Sequence, residues 1–241
     1  MAPAIHRAGS GRPAYSLRMQ NWIFWGVLLV SGLAVVTAAR AEVTVSADVW
    51  RLARHIHAVG DSGGMAFAIV DKRAAQLAVF HADGRLAGST AALLGSAAGD
   101  HTVPGVGERA QRAALQPGDA TTPAGRFISQ PGHNHTGEAV IWVDESAALA
   151  IHRLRPGTAH NARARRLASA NPGDKRVSQG CVVVSVAFFE SVVQPLLGQR
   201  SAVVYVMPER GLQVLHAGSA GLAGTPGPAS APGRATALAG L

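Results

Sequence analysis

AVIWVDESAALAIHRL, residues 139–154, is the stretch whose reading decides the fold. Residues 139–143 and 148–154 are two apolar runs of strand length, and the polar Asp144-Glu145-Ser146 between them is a turn. His152 interrupts the second run. Side chains alternate along a strand, so Ile151 and His152 point to opposite faces. An imidazole placed this way is held rigidly, as a general base must be. The other reading is a histidine at the edge of the core, hydrogen-bonded to backbone.

Working outward, the same period-2 pattern and turn punctuation recur on both sides. Upstream, residues 65–70 (MAFAIV), 76–81 (QLAVFH) and 86–94 read as strands, with 71–73 and 82–85 as connections. Before them, Val49, Leu52, Ala53 and Ile56 fall at helical spacing over residues 46–59, and Asp61-Ser62-Gly63-Gly64 stops that helix. Residues 95–123 are loop-like, Gly105 and Gly107 included, and 126–130 form a short strand. The segment from Pro131 to Gly137 is a polar hairpin turn, and we read its His133 and His135 as turn residues, not as a metal pair. Downstream, residues 155–176 read as a long basic loop in which His160 faces solvent. A helix follows, with Phe188, Phe189, Val192, Val193, Leu196 and Leu197 at three- and four-residue spacing, Ser185 as N-cap and Gly198 as stop. Residues 202–207 (AVVYVM) form a last buried strand, in an architecture that is mainly β. Trp142 reads as core.

The 241 residues allow one substantial domain plus extensions. Arg7, Arg12 and Arg18 precede an 18-residue apolar run from Trp22 to Ala39, and Ala39-Arg40-Ala41 supplies the small residues of a cleavage site. Residues 1–41 therefore read as a signal peptide or an N-terminal membrane anchor. Either reading makes the protein exported, to the periplasm or cell envelope. The net charge of +8 falls to +4 without this segment, which holds four arginines and no acid. That balance, with no aromatic-interleaved basic stripe, argues against nucleic acid. From residue 210 onward Ala, Gly, Ser and Pro dominate, so 210–241 read as a disordered tail. Residues 42–64 form the N-terminal helix and linker, and 65–209 the main domain.

Cys181 is the single cysteine. An exported chain normally pairs its cysteines, so a lone one is a buried hydrophobe, an intermolecular link or a reactive thiol. Its setting, Ser178-Gln179-Gly180-Cys181, favours the thiol. A nearby imidazole can take its proton. Gly180 permits a tight turn in which the N–H groups of Gly180 and Cys181 face a carbonyl oxygen.

His152 followed by Ser178-Gln179-Gly180-Cys181 and a hydrophobic residue resembles the L,D-transpeptidase catalytic family (YkuD-type). Its signature is a histidine, then Ser/Thr-His-Gly-Cys, a hydrophobic residue and Arg or Asn. Thr122-Pro123-Ala124-Gly125-Arg126-Phe127 resembles the family's Thr-Pro-x-Gly-x-Phe, and Ala68-Ile69-Val70-Asp71-Lys72 its opening strand. The resemblance implies a β-sandwich-like fold with a short N-terminal helix and one helix after the cysteine. It also implies that Cys181, deprotonated by His152, forms a thioester with a peptidoglycan stem tetrapeptide. An amine then resolves the thioester, in an L,D-transpeptidase, or water does, in an L,D-carboxypeptidase. The Arg153 carbonyl would orient His152, while Gly180, Gln179 and Ser178 shape the oxyanion hole. Arg155 and Arg176 are candidates for binding substrate carboxylates. No cofactor or metal is expected. Val183 stands where the family places Arg or Asn, which keeps a non-catalytic peptidoglycan-binding protein as an alternative. His152 and Cys181 are 29 residues apart, more than in compact members.

Overall fold

The structure is a computed structural model and describes residues 44–210. The readings of 1–41 as a signal or anchor and of the C-terminal tail lie outside the described residues. Helix α1 (Ala47–Val59) begins where Ser46 accepts a hydrogen bond from the Val49 N–H, and it ends at Gly60, whose φ of 68° suits a residue without Cβ. Its apolar stripe, Val49, Leu52, Ala53 and Ile56, is buried as the spacing requires. No helix among the described residues is long and apolar enough to cross a membrane.

Eight strands form one mixed sheet in the order β3-β2-β1-β10-β5-β6-β7-β9. They are β1 (Phe67–Asp71), β2 (Gln76–Phe80), β3 (Leu86–Ala91), β5 (Gly125–His133), β6 (Ala139–Asp144), β7 (Leu149–Arg153), β9 (Val182–Val184) and β10 (Ala202–Val206). A second, two-stranded sheet joins β4 (Leu94–Gly95) to β8 (Arg176–Ser178). The β1–β10 and β7–β9 pairs are parallel and the rest of the large sheet is antiparallel. Strand β5 joins the two halves: Gly125 to Ser129 pair with β10, and Gln130 to His133 pair with β6.

Alternation then sorts the side chains into three layers. Val70, Leu77 and Val204 from one half and Ile141, Ile151 and Val182 from the other share one central core with Phe189, Val193 and Leu197. On the outer face of the first half, Phe67, Ile69, Phe80 and Tyr205 pack against α1. On the outer face of the second, Val140, Trp142, Ala150, Leu154, Cys181 and Val183 form a third cluster with Leu93. Strands covered on both sides have no polar face, which is why β1 and β10 read as continuous apolar runs.

Four expectations change. Strand β5 runs on through Pro131 and Gly132, which read as a turn; β10 has stopped pairing by Pro131, so its missing N–H interrupts no ladder on that side. Residues 95–123 contain helix α2 (Val106–Gln111), with Val106 and Ala110 buried one turn apart. The basic segment 155–176 carries helix α3 (His160–Ala168), which starts at His160. The stretch after the cysteine is α-helical in α4 (Val186–Phe188), π-helical over Phe189–Val193 and α-helical again in α5 (Gln194–Leu197). The Gln194 N–H reaches Phe189 O, five residues back, just before Pro195. The wider turn relieves the clash of a helical proline with the carbonyl four residues before it.

Candidate functional site

Parallel pairing of β7 with β9 sets Ile151 opposite Val182 and His152 opposite Val183. Residues in register on adjacent strands share a face, so His152, Val183 and Cys181 all lie on the outer face of the second half-sheet. Cys181 sits one pleat before Val183. The sheet thus puts the imidazole and the thiol on one surface from residues 29 apart in sequence.

His152 Nδ1 lies 2.8 Å from the carbonyl of Arg153. A carbonyl only accepts, so Nδ1 carries the ring proton and Nε2 keeps its lone pair. Burial pushes the imidazole pKa down to about 4; the Arg153 carbonyl and Glu138 oppose the shift, and the charges of Arg155 and Arg163 add to it. Cys181 is 4% exposed, and burial raises its pKa against the pull of the Ala150 backbone and Arg155. The thiol donates to Ala148 O at 3.5 Å. Ala148 has a left-handed φ of 53° at the end of the β6–β7 turn. The resting pair is therefore a neutral imidazole and a protonated thiol.

The turn before the cysteine is held by side chains. Ser178 donates to Cys181 O at 2.6 Å and accepts from the Gly180 N–H at 3.2 Å. The expectation that Gly180 and Cys181 would both offer free N–H groups is corrected here: the Gly180 N–H is committed to the hydroxyl two residues earlier. No hydrogen bond among the described residues takes up the Cys181 N–H. Gly180 has φ 119°, and a Cβ there would meet Thr121 O at 2.7 Å, so the position needs glycine. Gln179 is exposed and lines a crevice with Val103, Val106, Thr121 and Ala148.

The arginines separate. Arg155 Nε is 2.9 Å from Glu138 Oε2, but its N–H is not aimed for a hydrogen bond. Its charge acts on both His152 and Cys181. The side chain of Arg153 faces Glu138 at 3.6 Å and Glu190 at 3.7 Å. Arg176 is held elsewhere: it pairs with Glu209 at 2.5 Å and donates to Lys72 O. That pairing engages one nitrogen of the guanidinium and ties Arg176 to the segment after β10.

Helix α3 covers the face carrying the pair, with Ala164 and Leu167 packed on the outer cluster. Trp142 is in that cluster, buried as expected, and pairs with Ala150 of β7. His133 and His135 are both exposed, and no group of three or more metal-ligating side chains occurs among the described residues. His160 Nδ1 contacts Arg155 O instead of facing only solvent. Sequence reasoning missed Glu138 and the Ala148 carbonyl, for which no residue pattern gives a signal. It found Thr122 only as part of a motif; its hydroxyl donates to Gly180 O at 2.7 Å.

Fold and site define a mainly β protein with a cysteine and a histidine on one covered sheet face. No family model and no curated protein matches the chain. Among solved structures, the catalytic domain of an L,D-transpeptidase from E. faecium aligns with 59% of this chain and 96% of its own length. The identity is 18% and the TM-score 0.29.

Proposed function

We propose that the protein is an exported cysteine acyltransferase that acts on peptidoglycan stem tetrapeptides as an L,D-transpeptidase. One observation carries the reading: His152 has Nδ1 on the Arg153 carbonyl and its basic Nε2 available, on the face that bears Cys181. In the first half-reaction Nε2 takes the thiol proton, and Sγ attacks the carbonyl of the L-to-D peptide bond. The C–N bond breaks, and His152 passes the proton to the departing D-Ala amine. In the second, an acceptor amine attacks the thioester, the C–S bond breaks, and the amine proton returns through His152 to Sγ. Water in place of the amine makes the same site an L,D-carboxypeptidase. The Cys181 N–H, with the Gln179 side chain beside it, is the donor to the oxyanion. Arg155, whose charge acts on both His152 and Cys181, suits a stem carboxylate.

Apolar Val183 in register with His152 and a thiol bonded to Ala148 O favour a second reading, a peptidoglycan-binding protein without turnover. Incubation with a carbapenem followed by intact-mass measurement separates the two. The acyltransferase reading expects one adduct on Cys181, lost in Cys181→Ala and slowed about 100-fold or more in folded His152→Ala. It also expects D-Ala release from tetrapeptide muropeptides. A wild type with neither adduct nor D-Ala release is the binding protein.

A further inference from the structure

Thr122 lies on a different segment from Cys181, 59 positions earlier, yet it is fully buried against the turn that precedes the thiol. Its Oγ1 donates to Gly180 O at 2.7 Å and accepts the Gly95 N–H at 2.9 Å. The rotor is therefore fixed: with Gly95 as donor, the hydroxyl proton has only Gly180 O to serve. The Thr122 carbonyl itself accepts from Lys72 Nζ at 2.9 Å, so the backbone that carries the hydroxyl is held as well.

Gly180 O belongs to the peptide that joins Gly180 to Cys181. A peptide unit is planar and trans, with C=O and N–H on opposite sides. Pulling Gly180 O toward Thr122 aims the Cys181 N–H the other way, and no described residue takes it up. The same bond polarises the amide and strengthens its N–H as a donor. Gly180 and Cys181 lie between strands β8 and β9, so no ladder fixes this peptide and the side-chain bond has a plane to hold. Resting on the acyltransferase reading above, we infer that Thr122 is a positioning residue: its hydroxyl sets the 180–181 peptide so that the Cys181 N–H meets the oxyanion formed during acyl transfer.

Two probes of the same sulfur test this in the full chain. A carbapenem reacts through a carbonyl and develops an oxyanion; iodoacetamide alkylates Sγ at a saturated carbon and develops none. Both need the thiol exposed and deprotonated. Thr122→Val and Thr122→Ala should each lower the acylation rate about 10-fold or more, with alkylation within about 3-fold of wild type. Thr122→Ser, which keeps the hydroxyl, should restore acylation. The alanine variant carries the test if valine prevents folding, as judged by circular dichroism. Equal losses with both probes, or unchanged acylation in a folded variant, overturn the positioning role alone. A wild type that is alkylated but takes no acyl group overturns the acyltransferase reading, and the positioning role with it.

Discussion

His152 and Cys181 are both driven toward their neutral forms by burial, the imidazole down to about 4 and the thiol upward. Neither shift favours an imidazolium–thiolate pair at rest, so on the acyltransferase reading proton transfer accompanies attack. Iodoacetamide alkylation of the wild type should then be about 10-fold slower than that of free cysteine at pH 7 and climb without a plateau to pH 9. A plateau between pH 5 and 7 would reveal a resting ion pair and refute this account. Val183 admits a prediction of its own. Its backbone N–H and C=O both bond Leu93, and its side chain is buried in the outer cluster. Val183→Asn puts an amide into that apolar site and should lower stability by about 1–3 kcal/mol, measured by urea unfolding. The pair itself was legible in sequence: a histidine inside an apolar run and a lone cysteine after glycine carry their chemistry in their residue types. The partners that tune them, Ala148 O and the Thr122 hydroxyl, come from folding back of distant segments.

Helix α3 is the element that most changes the site, because it lies over the face carrying the thiol while burying no residue of its own. Its N-cap, Ala159, has no side chain to offer, whereas α1 has Ser46 and four buried residues. Local opening is easiest where few apolar contacts hold an element. Amide hydrogens of α3 should exchange on the order of 100-fold faster than those of α1, and equal protection would show that α3 is held by more than Ala164 and Leu167. The same sparseness hid α3 in the sequence. HNARARRLA has good helix formers but no apolar stripe, and periodicity detects stripes. Strands β1, β2, β6, β7 and β10 were legible because each is a short apolar run bounded by turns. Strand β5 is longer than its pattern indicates, because Pro131 pairs only with β6 and its missing N–H breaks no ladder toward β10.

At the scale of the whole domain, one buried cation ties remote segments together. Lys72, at the end of β1, is 1% exposed and donates to Gly99 O, Asp100 Oδ1 and Thr122 O. Glu209, after β10, stands 3.6 Å from it, pairs with Arg176 of β8 and donates its own N–H to Asp100. Burial alone would raise the Asp100 and Glu209 pKa values. The Lys72 hydrogen bond and the Glu209 N–H outweigh it at Asp100, as the Arg176 hydrogen bond and the Lys72 charge do at Glu209, and both fall below the ordinary carboxylate range. A depressed carboxylate contributes stability that is present above its unfolded pKa and lost as pH falls through the folded one. His152 acts in the same direction over a higher window: below 6.5 the unfolded chain takes up a proton that the folded one refuses until about 4. Urea unfolding should therefore show stability falling from pH 6.5 to 4, then further below pH 4. In His152→Ala the first fall should disappear and the second remain. Lys72→Met should cost about 3 kcal/mol at pH 7, because partly buried Asp100 then loses its cation while Glu209 keeps only Arg176. It should also shrink the lower fall, since Asp100 loses the Lys72 hydrogen bond and Glu209 the Lys72 charge, and their folded pKa values move back toward the unfolded ones. If Lys72→Met keeps the wild-type acid profile, those carboxylates draw nothing from Lys72, and the domain is tied together by its apolar layers alone.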